Sequence, residues 1–521
     1  MRVHRGDPIA LPEGDVYSVV FRDVDKHRHQ VALVDPVGGR EMTFGEYHDE
    51  TLRLAAGLHG LGVGQGSVVA IVSTNSLEYA VLVMASMRLG AVVTLANPSY
   101  TPDELAHQLR SSGAEYVVTQ TELLPTVRKA STNLPRVKNT VTFGDNKDGL
   151  PTFSQLLQTS PRYLPTVRVN QAEDLAFIPY SSGTTGLPKG VMLTHRNSIF
   201  LITISGKLEL QDDVSLLCFV PMFHIYGLAL IIFCAAAGKR LVVLSRFVPE
   251  HFLQAVVKYK IQNLSLVPPI VVLLTKTTVT DGYDLSHLRY AISAAAPLGY
   301  DLEMEFRKKF NIESSQGWGM TELSGLGTYP IRGGKTGSVG KVLFGTEIKV
   351  VDTETLRTLG PHQEGEIWCR GPHVMKGYIN NPEATRSTIV PGGWLRTGDI
   401  GKYDEDGYFF ITDRLKELIK YKAFQVAPAE LENLLLQHPA VGDAAVVGVP
   451  DLVSGELPRA YVVLKPGAKP SAEDIQRFVE ERAAKHKWLR GGVEFTEAIP
   501  KSASGKILRR ELRRLVAKAK L

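Results

Sequence analysis

Cysteine is scarce, with three in 521 residues. Cys218, Cys234 and Cys369 show no CxxC spacing and sit beside no histidine cluster, which excludes a disulfide framework or a structural zinc site and fits a reducing compartment. Long apolar runs are missing too. The longest, GLALIIFCAAAG from Gly227 to Gly238, falls short of the roughly 20 residues that span a bilayer. Met1 to Asp15 has no apolar signal core, so neither a transmembrane segment nor export by that route is expected. Excess charge of one sign is small, a formal +5. It gathers near the end, where residues 501–521 carry eight Lys or Arg against the single acidic Glu511. Leu508, Leu512, Leu515 and Val516 recur there at helical spacing, so the segment reads as a helix with a solvated basic face, and no nucleic-acid partner follows. No internal repeat or low-complexity tract is present.

What is present is an ordinary globular composition, 44% hydrophobic and 22% charged, long enough to divide into more than one domain. Apolar runs at Ser67–Ser73, Ala91–Ala96, Lys239–Leu244 and Asn263–Pro268 alternate with amphipathic stretches such as Phe44–Leu61 and Thr101–Ser111. That alternation predicts βαβ units around buried parallel sheets. A Pro- and Ser-bearing connection over Ser154–Glu173 links two such subdomains. Beyond Gly337 short strands with close turns predict a small β-barrel-like subdomain. After Asp413 an α+β pattern begins: helix Pro428–Gln437, strands Asp443–Val449 and Arg459–Leu464, helix Ala472–His486. The fold class is therefore α/β, with a large N-terminal domain over 1–412 and a small C-terminal domain over 413–521.

One loop carries chemistry on its face. YSSGTTGLPKGVMLTH, Tyr180 to His195, follows an apolar strand, and its glycines let backbone N–H groups bend around phosphate oxygens. Ser181, Ser182, Thr184 and Thr185 add hydroxyl donors around Gly183, and Lys189 adds a positive charge. It is not a Walker loop, because G-x-x-x-x-G-K-[ST] is absent. By contrast GLGVGQG, Gly60 to Gly66, has no hydroxyl or basic partner and reads as a plain turn.

This loop resembles the phosphate-binding signature of the adenylate-forming superfamily of acyl-CoA synthetases, adenylation domains and beetle luciferases. QGWGMTE (Gln316 to Glu322), WLRTGD (Trp394 to Asp399), DRLKELIKYKAFQVAPAELE (Asp413 to Glu432) and PKSASGKILRREL (Pro500 to Leu512) continue the likeness across the chain. FHIYG and the KELIKYK segment look closest to 4-coumarate:CoA ligase-like enzymes. The resemblance implies an acid:CoA ligase that uses ATP, Mg²⁺ and coenzyme A, with a mobile C-terminal domain. A carboxylate leaves poorly as an oxide, so it is first joined to AMP with loss of pyrophosphate; the acyl group then passes to the CoA thiol. By resemblance, Lys506 is the catalytic lysine between carboxylate and α-phosphate. Gln316, Gly317 and Trp318 meet adenine, Thr321 the α-phosphate, Glu322 the Mg²⁺, and Asp399 with Arg414 the ribose. Lys416, Lys420 and Gln425 contact the adenylate, and Asp413 is the hinge. His224, in PMFHIYG, reads on its own as a histidine on an apolar strand; the resemblance puts it at the mouth between acid pocket and phosphate. Arg246, Lys422 and Ala423 fall at positions for CoA.

The acid pocket departs from the hydroxycinnamate ligases. Tyr226 is kept and Gly319 lies in the shared turn, but their serine reads Leu230, their lysine Ile292, the glycine of their Ser-Gly-Ala-Ala-Pro turn Ala294, and their Pro-Val Gly325-Leu326. A more apolar pocket predicts an aryl or a medium to long aliphatic acid, with 4-coumarate itself less secure. Ala519-Lys520-Leu521 resembles a peroxisomal targeting tripeptide, so the expectation is recognition by a peroxisomal import receptor if the source is eukaryotic, and a cytoplasmic location otherwise. A luciferase-like enzyme and a stand-alone enzyme loading a carrier protein share the same resemblance. The chain ends soon after the lysine motif, which leaves no room for a fused carrier. A nucleotide-binding protein without catalysis is disfavoured because Lys506, Thr321 and Glu322 are all present. Ala423 replaces the family's glycine; if backbone approach or a positive φ is needed there, Ala423→Gly will speed thioester formation and leave adenylation unchanged. Equal CoA-step rates in rapid-quench assays of the two proteins would refute this.

Overall fold

Val68–Val72 presents no polar side chain on either face, and a strand of that kind needs cover on both sides. It lies at the interior of a seven-stranded sheet whose spatial order is Gly377–Tyr378, Lys189–Thr194, Leu175–Ser181, Val92–Ala96, Val68–Val72, Tyr116–Thr119 and Asn139–Thr142. From Leu175–Ser181 onward the strands are parallel, while Lys189–Thr194 folds back antiparallel. The computed structural model describes residues 2–145, 148–181, 188–207, 215–422, 424–502 and 505–518, with side chains to residue 515. Parallel neighbours require crossover helices. Leu77–Arg88 supplies the one between Val68–Val72 and Val92–Ala96, while Phe44–Gly60 enters from Arg40–Thr43 of another sheet and is opened by a capping box in which the Thr43 hydroxyl accepts from Glu46 N–H and the Glu46 carboxylate from Thr43 N–H. Leu77–Arg88, capped by Ser76, is buried along nearly its whole length.

A second βαβ-type layer holds a four-stranded sheet (Val31–Asp35, Arg40–Thr43, Ser215–Cys218, Arg240–Val243) and a parallel three-stranded one (Asn263–Leu266, Tyr290–Ser293, Glu313–Gln316). Next comes an antiparallel sheet of Glu347–Val351, Gly365–Arg370, Trp394–Tyr403 and their shorter neighbours, with Phe409–Arg414 as its last strand. Thr328–Tyr329 pairs with Lys341–Val342 in a two-stranded sheet, and a last sheet is built wholly from the C-terminal part, from Ile419–Tyr421 to Val493–Phe495. It has its own core of residues such as Ile419, Leu431, Leu435, Val446 and Val462. The molecule is a mixed α/β protein with a large N-terminal domain and a small C-terminal one.

Three expectations change. The helix beginning at Ala472 ends at Glu480, not His486. Its buried stripe, Ile475 and Val479, would have to continue through Arg482 and His486, which are polar; the chain turns instead, and the Trp488 indole N–H donates to the Ala483 carbonyl at 3.0 Å. The tail does form a helix, Arg509–Lys518; among its described side chains Leu512 alone is buried, and Leu515 is exposed. His224 does not sit on a strand, because PMFHIYG runs straight into the apolar helix Ile225–Ala236. Ser182, Gly183, Thr184, Thr185, Ala423 and Ala519-Lys520-Leu521 lie outside the described residues.

The C-terminal domain is organised around one guanidinium. Arg509 donates to Glu417 at 2.5 Å, to Glu432 at 2.6 Å and to the Val446 carbonyl at 3.3 Å. Both carboxylates are buried, and burial pushes Glu432 above its ordinary range despite the neighbouring cation. Removing one partner from such a group leaves uncompensated buried charge, whose cost is about 3–5 kcal/mol. Arg509→Ala should destabilise the C-terminal domain by about that amount in chemical denaturation; a loss near that of an exposed pair would show that the carboxylates are relieved another way.

Candidate active site

The turn that presents Lys506 is fastened by its own backbone. Lys501 and Ile507 form an antiparallel bridge, Gly505 N–H donates to the Ser502 carbonyl at 2.8 Å, and Lys506 N–H donates to the Ser502 hydroxyl at 3.1 Å. Gly505 has φ +80°, and a Cβ there would come within 3.0 Å of Pro269 Cγ. The turn therefore packs on the N-terminal domain just after the strand Asn263–Leu266, and only glycine suits it. Between the two domains, burial pushes Lys506 down to about 8, with Arg414 adding to the shift and Glu417 and Asp399 opposing it.

His224 lies within electrostatic reach of this cation. It caps the helix Ile225–Ala236, its Nδ1 accepting from Tyr226 N–H at 3.2 Å. Burial, followed by the charge of Lys506, lowers its pKa to about 4. The ring is neutral at pH 7, and because Nδ1 is an acceptor, the proton is assigned to Nε2. What His224 offers the site is one N–H donor of fixed direction.

Asp399 and Arg414 face each other on the paired strands Trp394–Tyr403 and Phe409–Arg414, and Arg414 Nε lies 3.1 Å from Asp399 Oδ1. Trp318 reaches the same carboxylate, its indole N–H donating to Oδ2 at 2.8 Å. The indole is buried, so Trp318 is committed to this contact as well as to any flat ligand. Gln316 is not free for adenine: its side-chain amide donates to the Leu298 carbonyl and to Glu303 and accepts from Leu298 N–H. Gly317 N–H donates to the Ser293 carbonyl at 2.9 Å. A Cβ at Gly319 would lie 2.2 Å from the Gly325 carbonyl oxygen, which fixes the fold of this loop around a second glycine.

Thr321 and Glu322 are buried in a single helical turn. Glu322 Oε1 accepts from the Tyr378 hydroxyl at 2.8 Å, and Lys189 Nζ stands 4.9 Å from the centre of the Tyr378 ring. Tyr378 thus joins the base of the phosphate loop to the carboxylate; nothing local in GYINNP marked it. Ser181 and Lys189 are cross-strand partners at the two ends of that loop. Among the described residues no group of three or more His, Cys, Asp or Glu could hold a metal alone. Mg²⁺ at nucleotides takes one or two carboxylates plus phosphate oxygens, and Glu322, with one oxygen engaged by Tyr378, fits that donor set.

Of the expected acid-pocket positions, Leu230 and Ile292 are tied to Tyr226, through its helix and through Ser265. The Tyr226 hydroxyl bonds Ser265, and burial raises its pKa to about 12. Ser265 pairs with Ile292 across parallel strands, Ile292 and Ala294 border Gly317, and Gly325 borders Ile225. Leu230 is buried one helical turn beyond Tyr226. Leu326 packs partly on Phe200, Ile204 and Leu343. Arg246, Lys416, Lys420, Lys422 and Gln425 are exposed. Lys420 and Gln425 pair across the hairpin Ile419–Val426, and among the described residues no hydrogen bond or ion pair ties them to Asp399 or Lys506.

The profile of AMP-binding enzymes matches residues 20–379, and that of the AMP-binding enzyme C-terminal domain residues 430–506. The chain belongs to the AMP-binding enzyme family. This AMP-binding enzyme is 42% identical to 4-coumarate–CoA ligase 5 of Oryza sativa subsp. japonica over 98% of this chain and 96% of that one. It is 40% identical to 4-coumarate–CoA ligase 1 of Narcissus pseudonarcissus over 96% and 94%. Among solved structures, an anthranilate CoA ligase in complex with anthranoyl-AMP superposes with a TM-score of 0.90 at 28% identity, covering 98% of this chain and 99% of that one. A Mycobacterium tuberculosis fatty acyl CoA synthetase gives 0.76 at 29% identity, covering 97% and 99%.

The Lys506 shift sets a pH limit for this AMP-binding enzyme. A lysine held near 8 is cationic below that value and neutral above it. If its charge is required, kcat/KM for adenylation, which reports the free enzyme, will fall as pH rises through about 8. A profile flat to pH 10 in pyrophosphate exchange would contradict this.

Proposed function

We propose that this AMP-forming acid:CoA ligase, which uses ATP and CoA, works on a hydrophobic acid through Lys506 and His224. The carrying observation is convergence: Lys506, far along the chain, stands half-buried within electrostatic reach of His224, Arg414 and Asp399. In the first step the acid's carboxylate oxygen attacks the α-phosphorus of ATP and pyrophosphate leaves with the electron pair of the broken P–O bond. Two anions must meet, and the Lys506 ammonium with the His224 Nε2–H stabilises charge where they do. Thr321 and Lys189 contact phosphate oxygens, and Asp399 and Arg414 hold the ribose. Glu322 would hold Mg²⁺, which supplies charge neutralisation at the phosphates. In the second step the CoA thiol attacks the acyl carbon, AMP departs, and the thiol proton goes to solvent.

The two steps need different surroundings, and the hinge reading supports alternation. We place the domain boundary at 412/413, with Asp413 as the pivot. Its carboxylate accepts from Arg414 N–H at 2.7 Å and from Ala429 N–H at 3.0 Å, so it ties the end of the last N-terminal strand to the first helix of the small domain. Burial raises its pKa to about 6, against Arg509. Turning there would withdraw Lys506 and bring the exposed Lys422 toward the CoA path.

For the acid, support comes from the apolar replacements Leu230, Ile292 and Ala294 around Tyr226, and from relatives named for 4-coumarate and anthranilate. An aryl or a medium to long aliphatic acid fits such a wall. The test runs the parent and Lys506→Ala across 4-coumarate, cinnamate, benzoate and C6 to C16 fatty acids, following pyrophosphate exchange and CoA-dependent AMP release. Hydrophobic acids should lead the parent's panel, and Lys506→Ala should lose on the order of 10²–10³-fold in exchange. A variant that exchanges as fast as the parent removes Lys506 from the chemistry, and a panel led by small polar acids removes the substrate class.

A further inference from the structure

Asp399 has a cation against one oxygen and a hydrogen-bond donor on the other: Arg414 Nε is ion-paired with Oδ1 at 3.1 Å, and the Trp318 indole N–H donates to Oδ2 at 2.8 Å. An ionised carboxylate offers about four acceptor sites. The indole takes one of these on Oδ2, so each oxygen still has an acceptor site to offer. A vicinal diol needs that, because its two neighbouring hydroxyls each donate to their own oxygen.

The indole is held for this task. Gly327 N–H donates to the Trp318 carbonyl at 2.8 Å, and a Cβ at Gly327 would come 2.5 Å from ring atoms Cε3 and Cζ3. The ring packs against the bare Cα of Gly327, in the space a side chain there would take. Neither Phe nor Tyr carries a donor at the place of Nε1, since the tyrosine hydroxyl projects from the far end of a six-membered ring.

We propose that Trp318 is a positioning residue for sugar recognition: its N–H orients the Asp399 carboxylate so that both oxygens accept from the ribose diol, and it thereby sets the preference for ribonucleotide over deoxyribonucleotide. The inference rests on Asp399 as the ribose contact. Losing one sugar hydroxyl leaves an acceptor unpaired in a buried setting, which corresponds to about a tenfold loss in affinity. Without the indole donor the carboxylate turns more freely, one oxygen pairs with either hydroxyl, and the preference shrinks.

The experiment measures binding of AMP, 2′-deoxy-AMP and 3′-deoxy-AMP by calorimetry to the full-length parent, Trp318→Phe, Trp318→Tyr and Asp399→Asn. Binding of a mononucleotide needs no knowledge of the acid. The parent should favour AMP over each deoxynucleotide by about tenfold. Trp318→Phe and Trp318→Tyr, the second of which keeps a polar-tipped aromatic should the first fold poorly, should lower that ratio to about threefold or less. Asp399→Asn should lower it as well. Equal weakening of all three nucleotides in the Trp318 variants, with the ratio intact, reduces Trp318 to packing and overturns the proposal while Asp399 keeps its role. A ratio untouched by Asp399→Asn, or absent in the parent, overturns the assignment of Asp399 and the proposal with it.

Discussion

A cation enclosed between two domains is the constraint on which this structure turns. Lys506 loses hydration when the Gly505 turn packs on Pro269, and the loss appears as a pKa drawn toward neutrality. It stays there because Asp399 and Glu417 supply opposite charge, while Arg414 and Arg509 keep the balance close. A site poised in this way gains most from an anionic substrate. An incoming acid and phosphate would provide the countercharge that the protein's own groups provide only in part.

The same balance extends into the small domain. Asp413, Glu417 and Glu432 surround Arg509, and the first of these belongs to the strand that ends the large domain. The arrangement makes the small domain rigid around its guanidinium and leaves the strand end as its tether. A cleft of about 850 Å³ separates the helices Pro268–Lys276 and Tyr300–Phe310 from the helix Pro428–Leu436. The contact across it from Gln437 to Asp301, at 2.5 Å, is exposed. A tether with a firm body and a loosely filled gap is the mechanical condition for a domain that turns as a unit.

On the acid side, glycines decide shape where side chains decide chemistry. Gly319 and Gly325 approach so closely that neither the loop nor its neighbour has room for a methyl group at Gly319. Tyr226 is anchored through Ser265, so the pocket has one polar fixed point among Leu230, Ile292 and Ala294. In the function proposed above, such apolar walls would hold an acyl group without dictating one acid, since each methylene changes binding only modestly.

The amino-acid order alone determined the alternation of buried strands and amphipathic helices and the glycine turn that presents Lys506, because those properties are local: periodicity, and glycine where the backbone must turn. It misread His224, since an apolar run of this length suits a strand or a helix, and the choice fell to packing of Ile225–Ala236 in the core. It assigned Gln316 to the nucleotide, whereas Leu298 and Glu303 claim its amide. It did not find Tyr378 or the bond between Trp318 and Asp399, whose partners lie 56 and 81 positions away in the chain. Only the tertiary structure decided those pairings, because a hydrogen bond between remote residues depends on the geometry of two sheets and a loop brought together, and no spacing along one chain encodes it.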